Sequence, residues 1–465
     1  MRDNRLDRLG LLVFGLLVAA GAASAQERSS TTDRPPNIVY FLVDDMGWRD
    51  VGFHGSEIRT PVIDRLAGSG TRLEAFYAMP MCTPTRASLL TGRYPIRYGL
   101  QTGVIADTSR YGLSLDERTL PQALHEVGYR TALVGKWHLG DFQSGYVPTR
   151  RGFDSQYGLH GGYVDHWEHT GHGGAPDWYR DDRPIREEGY TTDLIVAEAE
   201  RVVRGHDARA PLFLLVAFDA THEPLQAPER FIEPYRGIAD EARRVKAAMT
   251  AAVDEGIGRV LAALDEQGIG DRTLVLFSSD NGGPEGDEGA DNGPLRGEKM
   301  TVYEGGVRVP AVVAWPGRVP AGAIVTEPLH VGDLYPTLLG LAGASLEQPL
   351  PLDGRDAWAT IVGRARSPHE DILINAEAKG GALRSGRWKL VVRRQGGSPR
   401  GKGGPGVELY DLETDPGEER DVASREPERT KELLARYEAY ELSAATPLKQ
   451  GGPGGGGGRQ RGNRR

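Results

Sequence analysis

The single cysteine of this 465-residue chain lies in a short segment whose residue types can do chemistry, Cys82-Thr83-Pro84-Thr85-Arg86. The segment predicts the start of a helix, with Thr83 as the N-cap and Pro84 in the first helical position, and the helix is expected to end at Gly92. Cys82 would then lie at a helix N-terminus, where free N–H groups and the helix dipole favour an anion. The alternative is that Cys82 is a small buried hydrophobic residue, because free cysteine is among the most buried residue types.

Four apolar segments that are typical of buried strands are followed by polar residues. They are 37–43 with Asp44 and Asp45, 131–134 with Lys136 and His138, 212–218 with His222, and 274–278 with Asp280 and Asn281. In open α/β sheets, ligands bind beyond the carboxyl ends of the strands. We therefore expect the four groups to meet at one edge of a sheet.

Asp44, Asp45, Asp280 and Asn281 offer only hard oxygen ligands, which suit Ca²⁺ or Mg²⁺ rather than zinc. Asp44 and Asp45 alone are also compatible with an ordinary turn at a strand end. The second pair at another strand end favours a site for a divalent cation. The ligand types do not decide between the two ions.

The segment around Cys82, with Pro84, Arg86 and the sequence Leu-Thr-Gly-Arg at 90–93, resembles the Cys-x-Pro-x-Arg signature of type I sulfatases. This family belongs to the alkaline phosphatase superfamily. Further segments that resemble sulfatase sequence blocks are 135–140, 148–154, 280–283 and 304–310. The sequence around Cys82, Lys136 and Lys299 is most similar to the arylsulfatase B (N-acetylgalactosamine-4-sulfatase) group.

In this family a separate enzyme oxidises the cysteine to formylglycine, whose hydrated aldehyde is the nucleophile. The resemblance therefore implies that Cys82 is modified, with a formylglycine-generating enzyme or an anaerobic sulfatase-maturating enzyme as partner. It also implies one divalent cation, usually calcium, that Asp44, Asp45, Asp280 and Asn281 hold against the modified Cys82 and a sulfate oxygen.

The resemblance also implies roles for the basic residues. Arg86 and Lys136 would hold the hydrated aldehyde and the metal side of the site, and Lys299 would bind the sulfate group. His138 would remove a hydroxyl proton when the sulfated intermediate breaks down, and His222 would protonate the leaving oxygen. Each such residue is usually structural when it occurs alone. Their placement at strand ends and at a helix start favours a shared site.

The elements that must position these residues indicate an α/β fold, a large mixed β-sheet sandwiched by helices. The predicted helices are 61–69, 119–127, 191–203 and 238–267. Strands at 382–393 and 407–412 and a helix at 426–442 predict a smaller C-terminal domain, an antiparallel sheet with one helix.

The chain is expected to have four parts. Residues 1–25 have the pattern of a secretory signal peptide, with an uncleaved anchor as the alternative. Residues 35–356 would form the catalytic domain and 357–447 the smaller C-terminal domain. The Gly- and Arg-rich tail at 448–465 is too poor in apolar residues to fold and is expected to be disordered. The mature chain would be exported, to the periplasm or the exterior, without a membrane span.

The formal net charge of −9 disfavours non-specific binding to nucleic acids or polyanions, so any affinity for an anionic substrate must be local. With one cysteine, no intramolecular disulfide can form. Residues 158–174 contain four histidines, but they lack thiolates and the spacing of a zinc signature. We expect this segment to be a loop on the rim of the site.

The leading hypothesis is an exported sulfatase that acts on a sulfated carbohydrate, such as N-acetylgalactosamine 4-sulfate or a related sulfated polysaccharide or oligosaccharide. A phosphonate or phosphate monoester hydrolase of the same superfamily is the second hypothesis. A non-catalytic protein that binds sulfated glycans is the third, and it is disfavoured because every catalytic position is filled.

Overall fold

The computed structural model describes residues 34–394 and 405–448. The strands are β1 Asn37–Val43, β2 Thr71–Leu73, β3 Phe76–Tyr77, β4 Arg130–Gly135, β5 Ser155–Gly158, β6 Tyr179–Arg180, β7 Arg183–Pro184, β8 Leu212–Ala217, β9 Thr273–Ser279, β10 Ala311–Ala314, β11 Ala323–Val325, β12 Leu329–His330, β13 Asp371–Glu377, β14 Gly380–Ser385, β15 Trp388–Arg393 and β16 Gly406–Asp411. The α-helices are α1 Pro61–Ser69, α2 Cys82–Thr91, α3 Leu120–Glu126, α4 Thr191–Arg204, α5 Glu229–Ile232, α6 Glu241–Glu266, α7 Glu304–Val307, α8 Leu334–Ala342, α9 Trp358–Ile361 and α10 Pro427–Leu442.

The main sheet has ten strands in the order β11-β2-β10-β9-β1-β8-β4-β5-β6-β7. At its centre, the five adjacent strands β9, β1, β8, β4 and β5 run parallel to one another. β10 is antiparallel to both β9 and β2, and β6 is antiparallel to β5, so the sheet is mixed. The carboxyl ends of the central parallel strands consequently share one edge of the sheet, as predicted.

The buried strand β1 packs against helices on both of its faces. Ile38, Tyr40 and Leu42 belong to a core with residues of α2, α3 and α8. The alternate residues Val39, Phe41 and Val43 belong to a second core with residues of α1, α4 and α6. Because side chains alternate across a strand, a continuous apolar run serves both layers. The predicted fold class, a mixed sheet between helical layers, is confirmed.

The four helices predicted from periodicity are also confirmed, with α1 at the predicted residues. Thr119 caps α3 through a capping box with Gln122, so the helix proper begins one residue later than predicted. α6 begins later than predicted because Asp240 is its N-cap and accepts a hydrogen bond from the Arg243 N–H.

The C-terminal sheet is antiparallel, in the order β13-β14-β15-β16, and α10 packs on it. The prediction missed β13, and it did not separate β14 from β15, which a tight turn joins. The predicted signal peptide lies outside the described residues, as does the tail after residue 448. The division of the chain near residue 356 stays a prediction. Within 34–394 and 405–448, no helix combines the length and apolar character that a membrane crossing requires.

A buried ion cluster links this second sheet to the rest of the molecule. Lys389 on β15 has no exposed side-chain surface, and its Nζ lies 2.9 Å from carboxylate oxygens of both Glu304 and Glu418. Burial raises the pKa of Glu418 to about 7, although Lys389 opposes the effect. Glu304 begins α7, so the cluster couples the second sheet to the loops that border the main sheet.

Lys389→Met should lower the free energy of unfolding by about 3 kcal/mol, because it leaves the buried Glu418 carboxylate without its ion-pair partner and Glu304 with Arg308 at 3.5 Å. Urea denaturation followed by far-UV circular dichroism measures the change. The matched control is Lys379→Met at an exposed position, which should change stability by less than about 0.5 kcal/mol. Equal effects of the two substitutions would contradict a structural role for the cluster.

Candidate active site

The predicted convergence of polar residues occurs at the carboxyl edge of the central strands. The main chain joins the strand ends directly, since the Asp280 N–H donates to the Val43 carbonyl (2.9 Å) and the Thr221 N–H donates to the Asp44 carbonyl (2.7 Å). Asp44, Asp45, Asp280 and Asn281 are completely buried. The sheet therefore gathers three carboxylates and an amide from two strand ends in one place.

α2 brings Cys82 to the same place. The helix begins at Cys82 with Met81 as the N-cap, so the prediction that Thr83 is the N-cap is wrong. The Thr83 hydroxyl instead donates to the His138 carbonyl (3.0 Å) and accepts from the Ile105 N–H (3.1 Å), which fixes neighbouring loops. The end of the helix is as predicted, with Gly92 in the left-handed conformation at φ 66°.

Cys82 lies directly against the carboxylate group. Its Sγ is 3.3 Å from Asp44 Oδ1, and ligand atoms of Asp44, Asp45, Cys82 and Asp280 all lie within 4.8 Å of one another. Burial raises the pKa of the thiol well above its ordinary value, and Asp280 and Asp44 raise it further. The unmodified thiol is therefore neutral, in contrast to reactive cysteines, which lie in electropositive surroundings that favour the thiolate.

Three cations balance the three carboxylates. Arg86 donates from Nη2 to Asp280 Oδ2 (2.8 Å), and the same nitrogen is 3.3 Å from Asp44 Oδ2. Lys136 Nζ donates to Asp44. Lys299 Nζ donates to Asp45 Oδ2 (2.6 Å). The predicted residues Arg86, Lys136 and Lys299 thus all contact the predicted metal ligands.

The charges act unequally on the carboxylates. Burial opposes ionisation of Asp44, but Lys136 and the other cations outweigh it and hold the pKa of Asp44 well below its ordinary value. Burial and the neighbouring Asp44 raise the pKa of Asp280 to about 6. A cation bound among these carboxylates would counteract the effect of Asp44 and favour the ionised form of Asp280.

The donor set fits a divalent cation. The oxygens of Asp44, Asp45 and Asp280 converge, and the Asn281 Oδ1 is buried without a hydrogen-bond partner among the described residues. The Asn281 amide nitrogen donates to Asp45 Oδ1 (2.6 Å), which places this side chain in the same cluster. Carboxylate and amide oxygens are the ligands that Ca²⁺ and Mg²⁺ prefer.

Two histidines flank the cluster. His138 is buried and lies 3.1 Å from the Ile105 carbonyl through Nε2, while its Nδ1 has no partner within the described part of the chain. Burial and then Lys136 lower the pKa of His138 well below its ordinary value, so its ring is neutral and Nδ1 carries a free lone pair.

His222 approaches from the other side, with Nε2 3.6 Å from Asp45 Oδ2 and Nδ1 2.9 Å from the Glu223 carbonyl. Burial and then Lys299 lower the pKa of His222 to about 4. An anion bound beside Lys299 would counteract the effect of Lys299 on the pKa of His222 and so favour protonation of the ring.

A cavity of about 380 Å³ opens onto Cys82, His138, His222 and Lys299. Its wall also includes Ile105 and Met300, which the sequence did not indicate. A second cavity of about 470 Å³ shares Ile105, Asp107, His138 and His172 with the first and adds Asp141 and Asp177.

The segment 158–174, predicted to be a loop on the rim, supplies Tyr163 and His172 to this wall. Within 34–394 and 405–448, groups of three or more His, Cys, Asp or Glu side chains that could hold a metal ion occur only around Asp44 and Cys82.

The mixed sheet and the site at its carboxyl edge define an α/β enzyme. A family model described as Sulfatase matches residues 36–344. The chain is 37% identical to arylsulfatase J of Mus musculus, over 94% of this chain and 82% of the relative. It is 35% identical to N-acetylgalactosamine-6-sulfatase of Homo sapiens, over 72% of this chain and 67% of the relative.

Among solved structures, the crystal structure of Ps i-CgsB in complex with k-i-k-neocarrahexaose superposes with a TM-score of 0.82 and 33% identity, covering 89% of this chain and 94% of that chain. The chain therefore belongs to the sulfatase family, whose members are sulfuric ester hydrolases, and the predicted family is confirmed. These relatives do not confirm the finer similarity to the arylsulfatase B group.

Proposed function

We propose that the chain is an exported sulfatase that hydrolyses sulfate esters of carbohydrates through a formylglycine made from Cys82. The observation that carries the proposal is the position of Cys82, at the first residue of α2, against three convergent carboxylates and open to a cavity that Lys299 and two histidines line. Sulfate ester cleavage needs a nucleophile, stabilisation of charge on the sulfuryl oxygens, and an acid for the leaving alcohol.

Each requirement has a candidate in the site. The hydrated aldehyde of modified Cys82 supplies the hydroxyl that attacks sulfur. Arg86 and Lys136 hold the hydrated aldehyde and the neighbouring metal ligands in position. Lys299 binds the sulfate group. His222 protonates the leaving oxygen, and the anionic sulfate beside Lys299 supports its protonated form. His138 has a free lone pair on Nδ1. It accepts the proton of the remaining hydroxyl when the sulfated intermediate breaks down to the aldehyde and sulfate.

Asp44, Asp45, Asp280, Asn281 and modified Cys82 would hold one divalent cation, for which we propose Ca²⁺. The cation would supply Lewis-acid polarisation of a sulfate oxygen. The three carboxylates would hold the cation at the sheet edge, and Arg86 and Lys136 would limit the excess negative charge there.

The substrate class follows from the relatives and from the cavities. One relative is named for N-acetylgalactosamine 6-sulfate cleavage, and one solved neighbour holds a neocarrahexaose. The second cavity extends the first, and its wall includes the polar side chains of Asp141, His160 and Asp177, which suits a sugar beyond the sulfate group. N-acetylgalactosamine 4-sulfate remains one candidate within this class.

Maturation requires a partner, either a formylglycine-generating enzyme or an anaerobic sulfatase-maturating enzyme. The secretory pattern at residues 1–25 supports export to the periplasm or the exterior.

The proposal is tested with paired esters, 4-nitrophenyl sulfate and 4-nitrophenyl phosphate, and with a panel of sulfated sugars that includes the 4- and 6-sulfates of N-acetylgalactosamine and sulfated carrageenan oligosaccharides. We expect kcat/KM for the sulfate ester to exceed that for the phosphate ester by about 100-fold. Faster phosphate turnover would favour a phosphate or phosphonate monoester hydrolase. No turnover by protein with confirmed modification and bound metal would favour a glycan-binding role.

A further inference from the structure

The loop at residues 158–174 contacts the segment after β8 that carries His222, through a buried histidine whose function the sequence did not reveal. His166 is 1% exposed. Its Nε2 lies 3.2 Å from the carbonyl oxygen of His222. Its Nδ1 lies 2.8 Å from the Thr191 hydroxyl and 3.1 Å from a carboxylate oxygen of Asp219. The ring thus bridges an acid and the main chain of His222.

The contact with the His222 carbonyl requires a hydrogen on Nε2, whereas the Thr191 hydroxyl can donate to Nδ1 or accept from it. A carbonyl oxygen only accepts, so Nε2 must donate to His222, and Nδ1 faces the Asp219 carboxylate. Burial alone would lower the pKa of His166, but Asp219 outweighs burial and the pKa lies above its ordinary value. The protonated ring, which has two donors, would match both partners, and the Asp219 carboxylate favours this form.

Asp219 also holds the main chain of His222 from its other side. The N–H of His222 donates to the Asp219 carbonyl (3.1 Å), and the Asp219 carboxylate accepts from the Ala220 N–H (3.1 Å). Asp219 and His166 therefore fix the N–H and the C=O of the same residue. A shift of this peptide would turn the His222 ring away from the cluster, and displacement of a catalytic group by about 1 Å costs up to about 100-fold in rate.

The docking of the loop does not depend on the His166 ring alone. The His166 N–H donates to Gln226 Oε1 (3.0 Å), and Gln226 Nε2 donates to the Asp165 carboxylate (2.8 Å). The Tyr190 hydroxyl donates to the Gln226 carbonyl (3.0 Å). Replacement of the ring should leave these contacts in place, so its effect on His222 can be measured in a folded protein.

We propose that His166, paired with Asp219, is a positioning residue that holds His222 in the orientation from which it protonates the leaving oxygen. This inference rests on the role of His222 in the proposed function. His166 acts through His222 rather than on the reacting atoms, since its contact is with the main-chain carbonyl of His222.

The test uses the dependence of the rate on the leaving group. A sugar alcohol must be protonated as it leaves, whereas 4-nitrophenolate leaves without an acid. The reference variant His222→Ala should therefore lose about 10²- to 10⁴-fold in kcat/KM on the sugar sulfate of the panel that the wild type hydrolyses fastest, and much less on 4-nitrophenyl sulfate.

Two variants of His166 form a matched pair. Asn in place of His166 puts its amide N–H near the position of Nδ1 and leaves the His222 carbonyl without a donor, whereas Gln reaches the position of Nε2. We expect His166→Asn to lose about tenfold to 100-fold on the sugar sulfate and less than about threefold on 4-nitrophenyl sulfate, and His166→Gln to recover most of the sugar sulfate activity.

The double variant His166→Asn with His222→Ala should be no slower than His222→Ala alone, because a positioning residue acts only through the group it positions. His369→Asn is the matched control, since His369 forms another buried pair, 2.6 Å from Asp333, that includes no residue of the cluster. It should leave the ratio of the two activities unchanged.

Equal losses on both esters in His166→Asn, or additive losses in the double variant, would overturn the inference. Equal losses on both esters in His222→Ala would instead refute the acid role of His222 in the proposed function. The two failures are therefore distinguishable, because the second appears in the reference variant without any change at His166.

Discussion

Replacement of Asp280 by asparagine is expected to lower kcat/KM for sulfate release by about 1,000-fold or more while the chain stays folded. The carboxylate contacts Arg86 and converges with Asp44 and Asp45, so its loss removes one of three negative charges that would hold the cation. Electrostatic stabilisation of this kind contributes several kcal/mol to a transition state.

The fold should tolerate this change. The pKa of Asp280 is raised to about 6 by burial and Asp44, so in the metal-free protein its ionised form is destabilised relative to the unfolded chain. Asparagine keeps the shape and removes that charge. In chelator, the Tm of Asp280→Asn should equal or exceed that of the wild type.

Calcium provides a readout that does not depend on activity. Added Ca²⁺ should raise the Tm of the wild type, because a ligand that binds only the folded state stabilises it, and this increase should disappear in Asp280→Asn. Asp254→Asn is the matched control. The pKa of Asp254 is likewise raised to about 6 by burial, but its carboxylate accepts the N–H groups of Val62 and Ile63 at the start of α1. Full activity in Asp280→Asn, or calcium stabilisation equal to that of the wild type, would refute the proposed site.

Cys82→Ala should reduce sulfate release by about four to six orders of magnitude, because it removes the nucleophile and the site of its modification. The effect on stability should be small, about 1 kcal/mol, because the side chain is small and, among the described residues, its thiol hydrogen-bonds only to Asp44. Sulfate release is measured on 4-nitrophenyl sulfate and on the sugar panel.

Ser88→Ala on the same helix is the control for this substitution. Its hydroxyl is buried and has no hydrogen-bond partner among the described residues, so its removal should change the rate by less than about twofold. Retention of more than a few per cent of the wild-type rate in Cys82→Ala would show that another group attacks sulfur.

The site residues at the strand ends could be predicted because each follows the same local sequence pattern, a short apolar run and then polar residues. Asp44, His138, His222 and Asp280 follow strands that are adjacent and parallel, in the order β9-β1-β8-β4, so their carboxyl ends had to share an edge. A continuous apolar run identifies such strands, and the polar residue after it marks the edge.

Other parts of the structure carry no such local signal. Lys299 lies in a loop, and only the family resemblance indicated it. Thr83 has the composition of an N-cap, but its hydroxyl bonds to residues 105 and 138, which are distant in sequence. The strands β2, β10 and β11 at one side of the main sheet are short. Their pairing in the folded sheet, rather than their own sequence pattern, determines that they form strands.

The contact of His166 with His222 illustrates the same limit. The histidines at 158–174 were visible in the sequence, and their spacing does not match a zinc signature. Nothing in the segment indicated that one of them pairs with Asp219 beyond the end of β8. That pairing arises only when the loop folds back over the sheet edge, where it brings the His166 ring to the main chain of His222.

The central claim is that Cys82 is converted to formylglycine and that this residue performs the hydrolysis. The most direct test is the mass of the proteolytic peptide that contains Cys82, from protein produced with a maturation enzyme and shown to release sulfate. We predict a loss of about 18 Da relative to the cysteine form, because an aldehyde replaces the thiol. An unmodified thiol at Cys82 in protein that releases sulfate at full rate would contradict the claim.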